Sequence, residues 1–152
     1  MADLLKGFHF YHEFRPRFSD IDAFGMVNNA TFLTYFEEAR VAYLSKLGIF
    51  NPLTKPAISI VIQRTEVDYL APVRMPDKVR VYIRSSEYNQ KKFTFEYALW
   101  LPEREVLAAK GKSLTVSYDL DQGRAVAIPE KFLNAMQAFE SREKEGADAG
   151  TC

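Results

Sequence analysis

The chain has 152 residues, 47% of them apolar and 14% aromatic, enough to bury the core of one domain. Twenty basic residues balance twenty acidic ones, which argues against binding nucleic acid or anionic membranes through the field of the whole molecule. No apolar run approaches the ~18 residues of a membrane span. The start "MADLLKGFHF" lacks the basic-then-apolar order of a signal peptide, and the sole cysteine, Cys152, is the last residue. The expectation is a cytoplasmic protein with no intrachain disulfide.

In chain order, "FHFYHEFRPRF" alternates. Phe8, Phe10, His12, Phe14 and Phe18 fall on one face and His9, Glu13, Arg15 and Arg17 on the other, which predicts a half-buried strand. Pro16 cannot donate to a ladder, so that strand belongs at a sheet edge. A helix should then begin close to Ala30. Phe32, Phe36, Ala39, Tyr43 and Leu47 recur at helical spacing, beside a row of Leu33, Arg40 and Leu44. Val41 and Ala42 leave only a narrow polar side, so burial over most of the circumference is expected. Gly48 followed by Ile49 reads as a C-terminal cap, and Pro52 forbids early resumption.

The second half reads as strands. "AISIVIQRTEVDYLAP" is long enough for one bent strand or two short ones. "KVRVYIRS" points Val79, Val81 and Ile83 inward, and "KFTFEYALWL" does the same with Phe93, Phe95, Tyr97, Leu99 and Leu101. "EVLAAKGKSLTVSYDL" ends with Leu114, Val116 and Tyr118 on one face. "PEKFLNAMQAFESREKE" opens on a proline and carries a stripe of Phe132, Met136 and Phe139, a second helix. Strands joined by short turns pair antiparallel, and an apolar helix needs a surface to cover it. The economical arrangement is an α+β domain over residues 4–143, a five-stranded antiparallel sheet wrapped around the first helix, followed by a disordered tail over 144–152.

Between the first strand and the first helix lies "SDIDAFGMVNNATF". Asp20 and Asp22, two apart, share a face if the segment is extended, and Gly25 allows a tight return. Asn28 and Asn29 are natural helix N-caps. The first amides of a helix lack internal partners and carry partial positive charge. A carboxylate brought back to such an amide can attack a carbonyl, the amide holding the oxyanion while the acid supplies a nucleophile or base. Asp-rich turns also arise from capping chemistry alone. Nearby, Glu37 is spaced to pair with Arg40. Glu37 and Glu38 lie roughly 12 Å beyond Asn29 along the helix, too far to serve the same amide in one subunit.

"RFSDIDAFGMVNNATFLTYFEEAR", followed by "VDYLAPVRMPDKVRVYIR" and "KKFTFEYALW", resembles the hotdog-fold acyl-CoA thioesterases of the 4-hydroxybenzoyl-CoA thioesterase type. The likeness runs from about Phe10 to Tyr118. It implies a hotdog fold, a homodimer or homotetramer with sites at the interface, and an acyl-CoA substrate whose coenzyme A is no separate cofactor. The family's catalytic carboxylate falls on Asp22 and its carbonyl-binding backbone N–H on Asn29. Substrate contacts fall on Gly25, Met26, Val27 and Asn28. Many members have histidine after the loop glycine, where this chain has Met26.

With two histidines and one terminal cysteine, no metal cluster or Cys–His pair is expected, and Ser19 has no histidine base. A hydratase of this fold would need histidine beside its acid, and the loop has none. Two alternatives remain: an acyl-carrier-protein thioesterase, and a non-catalytic acyl-CoA binding protein.

Overall fold

A computed structural model describes residues 3–142; the expected tail over 144–152 lies outside them. The elements in order are β1 (Tyr11–Phe14), a 3-10 turn (Phe18–Asp20), α1 (Thr31–Lys46), β2 (Ile58–Tyr69), β3 (Val79–Ser86), β4 (Lys92–Leu101), β5 (Val106–Asp119), β6 (Arg124–Ala125) and α2 (Glu130–Glu140). The sheet runs β1-β3-β4-β5-β2, all antiparallel, with the two-residue β6 beside β5. The meander β3-β4-β5 thus sits in the middle, and the first two strands of the sequence become its edges. This is the hotdog arrangement, five expected strands plus one short addition. The stretch that allowed one bent strand or two is a single β2, whose register slips between Ile62 and Arg64.

Alternation explains the inner face. Val79, Val81 and Ile83 of β3 and Phe93, Phe95, Tyr97, Leu99 and Leu101 of β4 are all buried. α1 lays Phe32, Tyr35, Phe36, Ala39 and Tyr43 on them. Each such large side chain contributes about 1.5–3 kcal/mol when withdrawn from water. The Phe36 ring stacks on Tyr97 with centroids 4.2 Å apart and planes 3° from parallel. That closeness depends on Gly111 of β5, where a Cβ would lie 2.9 Å from Phe36 and 2.7 Å from the Glu66 carbonyl oxygen. α2 closes one end with Met136 and Phe139. Gly48 ends α1 with φ near +74°, and Ile49 N–H returns to the Leu44 carbonyl, as expected.

Three expectations fail locally. Phe18 is 85% exposed, because the chain leaves the sheet after Phe14 and coils at 18–20. Phe8 packs with Tyr82 on the outer sheet face, whereas Phe10 enters the core. On β5, Leu114, Val116 and Tyr118 do share one face, the one turned away from α1, while the face turned to α1 carries Gly111 and the buried Ser113, Thr115 and Ser117. Finally, α1 is not buried over most of its circumference. Leu33 and Val41 remain 44% and 40% exposed, because no strand covers the flank of the helix toward β2.

Candidate active site at the start of the first helix

Residues 21–27 form a small hairpin. Ile21 and Val27 make an antiparallel bridge, flanked by Asp22 N–H to the Met26 carbonyl (2.9 Å) and Asn28 N–H to the Asp20 carbonyl (3.1 Å). Gly25 turns it with φ near +80°, a conformation side chains disfavour. Val27 N–H donates to the Val73 carbonyl (2.8 Å), which pins the hairpin to the segment entering β3.

The two acids do not share a face, because the 3-10 turn interrupts the extended run at Asp20. The Asp20 carboxylate is buried (6% exposed). One of its oxygens accepts from the Tyr35 hydroxyl at 2.7 Å and the Arg17 N–H at 2.9 Å. Burial and this bond to Asp20 push the Tyr35 hydroxyl far above its usual pKa, so it stays a donor. Asp22 is half-buried. Its Oδ1 accepts the Phe24 N–H at 2.9 Å, an Asx turn, and no cation pairs with it among the described residues. One acid is a structural tie; the other is available.

Helix capping is shifted by a residue from expectation. Ala30 is the cap, without a side-chain bond of its own, and Asn28 Oδ1 accepts the Ala30 N–H at 2.9 Å. The amides of Val27, Asn28, Thr31, Phe32 and Leu33 all donate to carbonyls. In the run 27–33 only the Asn29 N–H donates to no group among the described residues. The Asn29 carbonyl is held from the other side, accepting from the Tyr69 hydroxyl at 2.9 Å and from Phe32 N–H.

Met26, Val27, Asn29, Phe32 and Tyr69 line a cavity of about 290 Å³. The structure therefore brings together three of the six residues singled out from the sequence. Asp22, Gly25 and Asn28 do not line it, and no hydrogen bond joins Asp22 to Asn29. Glu37 lies 4.0 Å from Arg40 as expected, and Glu38 lies near Arg17 (3.8 Å) and His12 (3.9 Å). Among the described residues no cluster of three metal-ligating side chains exists. Two contributors escaped the sequence reading. Tyr69 lies forty residues from its acceptor, with no spacing to betray it. Tyr35 fell between the two apolar rows, although a tyrosine one turn into the helix and fifteen residues after an acid was a signal.

Further along the same helix two more open spaces lie between α1 and β2. A second space of about 320 Å³ is bounded by Leu33, Phe36, Arg40, Ile62 and Thr65. A third, about 410 Å³, shares Glu37 and Arg40 and reaches Leu44, Phe50 and Phe132. Below, Arg40 Nη1 donates to the Tyr97 hydroxyl (3.1 Å), which donates to Ser113 Oγ (2.9 Å), itself 2.9 Å from Thr65 Oγ1. Burial pushes the Tyr97 hydroxyl above its usual pKa, so this chain of hydroxyls is neutral.

A model of the Thioesterase-like superfamily matches residues 16–136. Among curated relatives, the chain is 30% identical over 129 residues to the acyl-acyl carrier protein thioesterase ATL3 of Arabidopsis thaliana, covering 82% of this chain and 66% of that one. It is 28% identical over 119 residues to the acyl-CoA thioesterase YbgC of Haemophilus influenzae, covering 77% and 86%. Its match to the uncharacterized YsmA of Bacillus subtilis, 33% identical, spans 59% of this chain and only 60% of that one. Among solved structures, a thioesterase of Thermus thermophilus complexed with coenzyme A and zinc superposes with a TM-score of 0.76 at 33% identity, over 91% of this chain and 99% of that one.

Proposed function

The chain belongs to the thioesterase-like superfamily, and from that premise we propose that it hydrolyses acyl-CoA thioesters to free acid and coenzyme A. One observation carries the mechanism: in the run 27–33 the Asn29 N–H alone donates to no group among the described residues, and Asn29 lines a cavity together with Met26 and Val27. A thioester carbonyl placed there accepts this N–H, and the positive end of α1 stabilises the charge that develops on its oxygen. Asp22 supplies the other half. Its carboxylate attacks the carbonyl carbon, or it takes a proton from the water that does. The carbon–sulfur bond then breaks, and the thiolate leaves as coenzyme A with a proton from water or from the protonated Asp22; where Asp22 was the nucleophile, a water then cleaves the mixed anhydride, which frees the acid and restores the carboxylate. The relative solved with coenzyme A supports a CoA carrier over a protein carrier.

The site is completed by a second copy of the chain. β2 is a twelve-residue edge whose outer side faces no strand among the described residues, and such edges are seldom left bare. Pairing two copies across a two-fold axis covers both edges and roofs the open spaces beside α1. The test is a panel of acyl-CoA thioesters followed with a thiol-trapping dye, alongside the matching acyl-carrier-protein thioesters. Release of thiol from the CoA series is the expected result. Release from the carrier-protein series alone reassigns the carrier, and binding without release makes the protein a sensor.

A further inference from the structure

The spaces beyond the candidate site mix apolar and polar lining, and among the described residues Arg40 is the one cation that borders both. Leu33 and Ile62, both exposed, form the walls. Between them the Arg40 guanidinium, 16% exposed, borders both the second and the third space. A guanidinium offers five N–H donors. Arg40 uses one at 3.1 Å on Tyr97, and its carboxylate neighbour Glu37 is 4.0 Å away and two-thirds exposed. A cation this withdrawn from water is normally matched by a close, bonded anion. Among the described residues Arg40 has no closely bonded anion; Glu37, which lines the same two spaces, stays at 4.0 Å.

We propose that Arg40 is a specificity residue that binds a carboxylate at the far end of the acyl group, so that the preferred substrates are CoA thioesters of dicarboxylic acids. This rests on the thioesterase reading above. Arg40 stands eleven residues past Asn29, about 16 Å along the axis, and its side chain leans back toward the helix start. An acyl chain with its carbonyl on the Asn29 amide lies against Phe32, Leu33 and Phe36 and presents its far end to the guanidinium. A carboxylate there is taken by two parallel N–H bonds. Glu37, on the rim, gives way to solvent. The Tyr97, Ser113 and Thr65 hydroxyls hold the guanidinium in place and add no charge of their own.

The experiment compares chain-matched pairs of acyl-CoA, one member ending in methyl and the other in carboxylate, at lengths of roughly six to twelve carbons, which suit a span of ~16 Å or less. The wild-type protein is expected to favour the carboxylate-ended member by about tenfold or more in kcat/KM, chiefly through KM, as one charged hydrogen-bonded pair allows. Arg40→Gln should reduce kcat/KM for the carboxylate-ended series about tenfold more than for the methyl-ended series. Arg40→Lys should restore part of that preference. Equal or better hydrolysis of the methyl-ended series by the wild type overturns the proposal and leaves the thioesterase reading standing. An equal loss on both series in Arg40→Gln, or a change in particle mass, makes Arg40 a structural or interface residue and also overturns it. Inactivity toward every thioester removes both readings together.

Discussion

The two flanks of α1 meet different fates. Toward β1 and β3 the helix is sealed. Phe14 and Tyr35 pack edge to face at 4.6 Å, Phe10 and Tyr43 at 6.0 Å, and the Tyr35 hydroxyl ends on a buried carboxylate. Toward β2 it is open. Leu33, Val41 and Ile62 stay exposed, and three open spaces follow one another along the helix between Asn29 and Phe132. The open flank leaves Leu33 and Val41 in contact with water beside the rings of Phe32 and Phe36, an apolar surface that the proposed function assigns to the acyl group. Sealing belongs to stability and opening to function, so variants on the two flanks should fail in different ways.

The largest separation is expected between the two acids of the loop. Asp22→Asn should lower turnover at least ~100-fold while leaving thermal melting unchanged, since its carboxylate makes only a local turn. Asp20→Asn should do the reverse. Weakening the bonds from Tyr35 and Arg17 should cost about 1–3 kcal/mol of stability and retain more activity than Asp22→Asn. Near-normal turnover in Asp22→Asn, on the best substrate, would remove that residue from the chemistry. The open flank should next reveal itself in mass. Light scattering is expected to give at least twice the 17.4 kDa of one chain, and a single-chain mass at micromolar concentration would refute the paired edge.

Met26→Ala tests the space nearest the loop. Methionine there is an adaptable apolar wall that can neither donate a hydrogen bond nor titrate. Its removal should widen tolerance for bulky acyl groups and change KM more than kcat, measured on short, long and aromatic thioesters. An unchanged profile with lowered melting would place Met26 beneath the loop and leave the wall to Val27.

The smallest effect is expected at the other end of the helix, where Glu140 of α2 accepts from the Tyr43 hydroxyl and from Ser85 N–H. Burial pushes the Glu140 carboxyl above its ordinary 4.5, partly offset by those bonds and by Arg84. The folded state therefore holds this proton more tightly than the unfolded chain does. The stability it contributes is complete below about pH 4.5 and is lost as pH rises through the folded-state value. Glu140→Gln should flatten that decline in melting temperature, and an undiminished slope would assign the decline elsewhere.

What could be read from the sequence was what depends on neighbours along the chain. Val79, Val81 and Ile83 alternate because one face of β3 is covered, and Gly48 follows Leu47 because a helix must stop; both are local facts. The hairpin at 21–27 was half legible. Gly25 announced the turn, but the split between Asp20 and Asp22 depends on Tyr35, which is brought near only by folding. Phe18 misled because alternation survived on paper past Pro16 while the chain had already turned away. Spacing gave Arg40 its Glu37 neighbour but not its floor, since Tyr97, Ser113 and Thr65 come from three strands whose register no spacing reveals. Asp22 and Asn29 were reached through resemblance, and their roles rest on the proposed chemistry.

Gly111 has a further consequence. Because it presents no side chain, Phe36 settles onto Tyr97, and the height of α1 above the sheet is set by the thickness of one aromatic ring. That height is also the depth of the open spaces beside it. Gly111 therefore works as a gauge block: a methyl group there must lift the helix at its midpoint and deepen the channel along the open flank, with some loss of packing. For anyone wishing to retune the chain toward thicker acyl groups, the place to begin is a position that touches neither the loop nor the edge strand's side chains, one layer below the substrate.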